Sequence, residues 1–208
     1  MNKKQRVEKL KAAVFSDDWE TQKRACNQLF HFGGRFNKTS QRKLRHYLVS
    51  LFDQDNVNTR NAVALVVREN HYQPALRPLL RALQKPENSR SRMTLAYALE
   101  NLNCGQHLGE LFEIVFGAAD NYVALLHLLS VLEEQIFEFT RAELEQIAKR
   151  WEEIKPTWDD LYNQDKGTDD DKAGEEEARG MLPIYAGHIE FDQETIQDLV
   201  DWYLAYLE

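Results

Sequence analysis

The sequence predicts an all-α fold: a right-handed superhelical stack of antiparallel helical hairpins, that is, an α-solenoid. Three observations carry this expectation. Glycine at 9 and proline at 5 in 208 residues are too few for a turn-rich β-sandwich. Apolar residues recur with a period of 32 along the middle of the chain. Within each copy they fall at i, i+3, i+4 and i+7, which gathers them on one helical stripe.

Taken in chain order, Val7, Leu10 and Val14 mark a first helix. Asp17-Asp18-Trp19 lead into a second helix carrying Ala25, Cys26, Leu29 and Phe30, and a Gly33-Gly34 loop closes this irregular hairpin. The next three first helices align in four columns: Leu44, Leu76 and Leu108; Tyr47, Leu79 and Leu111; Leu48, Leu80 and Phe112; Leu51, Leu83 and Val115. A polar break follows each, namely Asp53-Gln54-Asp55-Asn56, Lys85-Pro86-Glu87-Asn88 and Gly117-Ala118-Ala119-Asp120. Beyond the breaks, Ala62-Val63 with Leu65-Val66-Val67 aligns with Thr94-Leu95 and Tyr97-Ala98-Leu99. The same register then reaches Leu126-His127 and Leu129-Ser130-Val131. One hairpin cannot bury its own stripe, so consecutive hairpins must stack.

In the last third, Thr140-Arg141-Ala142-Glu143 forms a capping-box signature. It starts a helix with Leu144, Ile147, Ala148, Trp151 and Ile154 on one stripe, which Pro156 is expected to stop. Residues 165–180 hold no aliphatic side chain larger than alanine and read as a mobile acidic loop, without the ligand spacing of a calcium site. Asp192 is expected to cap a last helix with Ile196, Leu199, Val200, Tyr203, Leu204 and Leu207 on its stripe and Trp202 and Tyr206 beside it. The expected organisation is a helical repeat domain over 1–155, an acidic flexible loop over 156–180, and an amphipathic capping helix over 181–208 packed on the same domain.

The second helices share a pattern: an acidic turn, then arginine, then small and aliphatic residues. It runs as Asp55-Asn56-Val57-Asn58-Thr59-Arg60-Asn61-Ala62-Val63 and again as Pro86-Glu87-Asn88-Ser89-Arg90-Ser91-Arg92-Met93-Thr94-Leu95-Ala96. In this the chain resembles the HEAT-repeat family over about residues 5–134, with Ala124 replacing the arginine in the third copy. The resemblance implies that Arg60 and Arg92 tie neighbouring turns together. Some HEAT-like enzymes hold iron through repeated His-Glu dipeptides, and this chain contains none.

The net charge of −8 is unevenly spread. Residues 1–104 hold 19 Lys or Arg against 9 Asp or Glu, a net of +10, while residues 105–208 hold 7 against 25, a net of −18. Such a polarity steers charged partners to opposite ends of a molecule. The longest apolar run, Ala62 to Val67, is far too short to span a bilayer. No apolar stretch of a signal peptide follows the basic start, and two cysteines do not make a disulfide scaffold, so a cytoplasmic protein with reduced, buried thiols is expected. Cys104 near His107 is better read as a helix end than as a nucleophile with its base, and Gly33-Gly34-Arg35-Phe36-Asn37-Lys38 lacks the ending of a phosphate loop.

No catalytic residue, metal or cofactor is therefore expected. The favoured function is a non-catalytic module that binds another protein along the groove lined by the second helices. Trp19, Arg24, Asn61, Arg68, Tyr97 and Glu100 are its candidate contact residues. An inhibitory or immunity-type protein, whose acidic part engages a basic partner, is one form of this reading. The alternative is nucleic-acid binding through the basic N-terminal half, with Trp19, Tyr47, Tyr72 and Tyr97 as stacking groups, on a fold like that of HEAT-like alkylpurine DNA glycosylases. No membrane partner is expected.

Overall fold

The computed structural model describes residues 2–33, 38–119, 121–169 and 185–206. Among them are ten α-helices, three short 3-10 segments and no strand. Contacts divide the chain into two units, Met1–Cys104 and Gly105–Glu208. This division coincides with the change in sign of charge.

The first unit contains α1 (Lys3–Ala13), α2 (Trp19–Phe30), α3 (Lys38–Ser50), α4 (Val57–Glu69), α5 (Leu76–Gln84) and α6 (Arg92–Leu99). Short polar side chains that accept from first-turn amides start three of them, α1, α2 and α4. Asn2 and Gln5 form a capping box on α1, Asp18 accepts from the Thr21 amide, and Asn56 accepts from that of Thr59. In the four columns of first-helix residues, every member but the half-buried Tyr47 is buried. The second helices of this unit pack on one another, α2 on α4 and α4 on α6, while α1 lies on α2 and α5 on α6.

Asp18 gives this unit a pH-dependent start. Hydrogen bonds from the Thr21 side chain and amide hold its carboxyl below the ordinary carboxylate value. A carboxylate whose pKa is depressed by folding adds stability above its unfolded value, about 4, and loses it as pH falls through the folded value. Asp18→Ala is therefore expected to lower the unfolding midpoint near pH 7, with the gap to the parent narrowing toward pH 2. Thermal melts of both proteins across that range check it.

The second unit contains α7 (Leu108–Phe116), α8 (Tyr122–Glu134), α9 (Arg141–Asp169) and α10 (Tyr185–Ala205). α7 packs on α8 and α9, and α10 packs on α8 and α9. Leu108, Phe112, Leu128, Leu132, Leu144, Trp151, Trp158, Ile196 and Val200 lie in its core.

Three local expectations are corrected here. α9 does not end at Pro156 but runs on to Asp169, so residues 156–169 are helix and not loop. Two buried indoles flank the proline: Trp151 donates to Gln197 Oε1 at 2.8 Å, and Trp158 donates to the Phe116 carbonyl at 3.2 Å. Burial of two such side chains outweighs the roughly 3 kcal/mol that a proline costs inside a helix. α10 begins at Tyr185, seven residues before the expected cap at Asp192. In α8 the aligned pair Leu126-His127 is exposed and half-buried, whereas Ala124, Leu125 and Leu128 are buried. The cap explains this: Asn121 follows Asn56 by 65 residues, one more than two periods, and one residue turns a helix by about 100°. The rest of the expected acidic loop, 170–180, lies outside the described residues, as do Met181 to Ile184 and Leu207.

Candidate functional site

A helix leaves its last four carbonyls without partners, and in the first unit arginines supply them. Arg45 on α3 donates its Nε to the Phe30 carbonyl at 3.2 Å, with its guanidinium 4.1 Å from the Phe30 ring centre and 5.3 Å from that of Tyr72. Arg68 on α4 repeats the device one layer on. Its Nε donates to the Tyr97 carbonyl at 3.2 Å, its guanidinium lies 3.7 Å from the centre of the Tyr97 ring, and its Nη2 meets Glu100 Oε2 at 3.1 Å. The connecting loops are joined as well: Gln73 exchanges two hydrogen bonds with the backbone of Asn103, at 2.7 and 2.9 Å.

Of the six residues expected in a groove, the structure thus brings Arg68, Tyr97 and Glu100 into one cluster. Trp19 is half-buried at the start of α2, and Arg24 is exposed on the same helix. Asn61 on α4 is half-buried, and its Oδ1 is buried without a hydrogen-bond partner. Arg60 is 2% exposed; it donates to the Gln54 carbonyl and, through Nε at 3.2 Å, to Ser91 Oγ. Burial holds its guanidinium below the ordinary arginine value, with Asp55 and Glu87 opposing. Arg60 thereby joins the turn before α4 to the end of the 3-10 segment before α6.

Three of the four rings named for base stacking are covered by the chain's own cations. Tyr97 lies under Arg68; Tyr72 is edge-on to Phe30 and near Arg45; Tyr47 has the Lys11 ammonium 4.9 Å from its centre.

In the second unit an aromatic series runs from core to surface. Trp158 meets Trp151 edge-on at 5.9 Å, Trp151 stacks on Phe116 at 5.5 Å, Phe116 adjoins Phe112 at 5.7 Å, and Phe112 meets Tyr203 at 5.8 Å. Tyr203 is buried and donates its hydroxyl to the Leu132 carbonyl at 2.9 Å; burial, with Tyr206 adding, pushes its phenol well above the ordinary value. Beyond it Trp202 and Tyr206 are 48% and 60% exposed, edge-on to each other at 5.0 Å, with Phe139 6.1 Å from Tyr206.

The i, i+4 line Glu194, Asp198, Trp202 and Tyr206 is exposed along its length, with exposed Asp201 beside it. The opposite face of α10 holds Ile196, Leu199, Val200 and Tyr203, all buried. α10 therefore presents an acidic and aromatic stripe. In the sequence Trp202 and Tyr206 stood beside the apolar stripe, open either to widening the buried face or to forming an exposed aromatic contact, and Phe139 did not stand out at all. The signal for Phe139 is the alternation Phe137-Glu138-Phe139, which in an extended segment turns both rings the same way, and both meet Tyr203, at 6.4 and 5.8 Å.

Cys26 and Cys104 are fully buried thiols outside any disulfide, and burial pushes both up to about 12, which keeps them protonated and poor nucleophiles. His107 Nδ1 and Glu110 form a 3.0 Å pair on the first turn of α7. No helix among the described residues is long and apolar enough to cross a membrane, and no group of three or more His, Cys, Asp or Glu among them could hold a metal ion. Comparison with protein families, with curated proteins and with solved structures gives no match to this chain.

Proposed function

We propose that the protein is a non-catalytic, cytoplasmic binding module that takes a basic segment of a partner protein on the acidic and aromatic stripe of α10. One observation carries this reading: Trp202 and Tyr206 stand half or more exposed in line with Glu194 and Asp198 and beside Asp201, in a half of the chain with net charge −18. Exposed tryptophan and tyrosine are the anchors most often found at interfaces, and each offers a π face to a lysine or arginine while the carboxylates answer its charge. The inhibitory or immunity-type form of the function fits the same chemistry. Nucleic-acid binding through the first unit is less well supported, because three of the four rings named for stacking already carry the chain's own cations.

In this reading the first unit is a scaffold, a short right-handed HEAT-like stack of hairpins. Two features support it: the packing of α2 on α4 on α6, and polar ties that span about one period. Such ties are Arg68 to Glu100 and Lys85 to Asp53, each across 32 residues, and Arg60 to Ser91 across 31.

The test uses a fluorescein-labelled amphipathic peptide rich in arginine and lysine, with an acidic peptide as control. Anisotropy titrations are expected to show saturable, salt-sensitive binding of the basic peptide alone. Trp202→Ala, which leaves the charge unchanged, is expected to weaken it by about tenfold or more, the loss typical of an interface anchor. Asp198→Asn with Asp201→Asn is expected to flatten the salt dependence. Binding indifferent to Trp202→Ala would reduce the effect to bulk charge and overturn the proposal.

A further inference from the structure

The first unit has an open cleft of about 560 Å³ where α1 begins and α2 ends. This falls within the range of small-ligand clefts. Lys3, Arg6, His31 and Phe32 line it, with the amide side chains of Asn2 and Gln28, and no carboxylate does. The Lys3 ammonium and the Arg6 guanidinium each lie 5.7 Å from the centre of the Phe32 ring. Two full cations are thus gathered at one ring.

Elsewhere in this unit the same kind of cation is satisfied within the chain. Arg68 has Glu100, Arg45 has the Phe30 carbonyl, and Lys11, which sits at the Tyr47 ring, has Glu8 at 3.5 Å. Lys3 and Arg6 pair with no carboxylate among the described residues. Two groups oppose the positive field of the cleft. The ring quadrupole of Phe32 is weak, and the C-terminal carbonyls of α2 amount to about half a negative charge. Against two unit charges neither restores neutrality.

We propose that this cleft binds a small phosphomonoester. A dianionic phosphate matches two cations held at one ring, arginine offers it a bidentate fork, and Gln28 and His31 line the same cleft, where they can meet the organic part. The proposal does not rest on the α10 stripe, which belongs to the other unit.

The experiment is an amide chemical-shift titration of the whole chain at low ionic strength with three probes: inorganic phosphate, adenosine 5′-monophosphate and a ten-residue oligothymidylate. Saturable shifts confined to residues 2–6 and 28–33 are expected with the first two. The nucleotide binding more tightly than phosphate would support a phosphomonoester and assign a role to the organic part; equal affinity would leave the site to inorganic phosphate and overturn the phosphomonoester.

Lys3→Gln with Arg6→Gln is expected to weaken binding about tenfold or more, as loss of charge-assisted hydrogen bonds does. Since α1 buries no residue, these changes leave the fold intact. Lys4→Gln with Lys9→Gln removes the same charge outside the cleft and is expected to change affinity by no more than about twofold, the effect of screened distant charge. Equal weakening by the two double variants, no saturable shift with either small probe, or binding of the oligonucleotide alone would each overturn the proposal.

Discussion

Leu99→Asp is expected to abolish the cooperative folding of the first unit. Leu99 is 0% exposed on α6, which packs against α4 and α5. The substitution removes a core side chain and puts a carboxylate in its place. Truncation of such a leucine to alanine costs about 2–5 kcal/mol, and an unpaired buried charge adds several more. The only charged residue on the same buried face of α6 is Arg92, two helical turns away, about 10 Å along the axis and beyond the reach of an aspartate.

Domains of this size are stable by about 5–15 kcal/mol in total, so the loss is of the same order as the whole. Urea unfolding followed by circular dichroism, with hydrogen exchange to localise it, is expected to show Leu99→Asp without protection in α4 to α6. Leu99→Ala should remain folded with a lowered midpoint, and Leu99→Met should stay within about 1.5 kcal/mol of the parent. A cooperative Leu99→Asp with parental protection would mean that the apolar columns are not the core.

Those columns were the most legible part of the chain, because burial is the strongest constraint on residue type and a helix repeats it every turn. Leu80, Leu83, Leu95 and Leu99 could be assigned to the interior from spacing alone. The same logic failed in α8 for want of a single residue: the shift of its cap to Asn121 rotates the helix, and periodicity counted from upstream copies does not register an inserted residue inside a loop. The change of charge from +10 to −18 was legible in the sequence and falls where the contacts divide the chain, but charge says nothing about which helices touch, so the division itself was not.

The candidate site was harder to see. Arg68, Tyr97 and Glu100 lie 29 and 32 residues apart, and their meeting depends on how α4 and α6 stack. On α10 the spacing did place Tyr203 on the buried stripe and Trp202 beside it, as the structure has them, but whether Trp202 and Tyr206 widen the buried face or stay exposed depends on what packs against the helix, which spacing does not say.

Pro156 shows how far local preference can be overridden, and it carries the last prediction. A proline removes one helical hydrogen bond and crowds the carbonyl four residues before it, which is why the sequence alone ends α9 there. The helix nonetheless continues to Asp169. The anchor on the far side is Trp158, 1% exposed, whose indole meets Trp151 edge-on and satisfies the Phe116 carbonyl, one of the orphan groups at the end of α7.

Trp158→Ala is expected to destabilise the second unit by about 3–5 kcal/mol, the range for truncating a buried aromatic side chain. Its signature is local: amide protection falls after Pro156, over residues 157–169, by more than it falls over residues 141–155. Trp158→Phe should retain most of the packing and lose the bond to Phe116, placing its cost near 1 kcal/mol plus the penalty of the orphaned carbonyl.

The decisive comparison adds Pro156→Ala to Trp158→Ala. If Trp158 holds the helix against its proline, restoring the missing donor relieves the need for the anchor, and protection over 157–169 returns in part while the core cavity stays. If protection there is the same in Trp158→Ala as in the parent, the helix beyond Pro156 is held by its packing on α10 instead, and the two indoles serve only to fill the core.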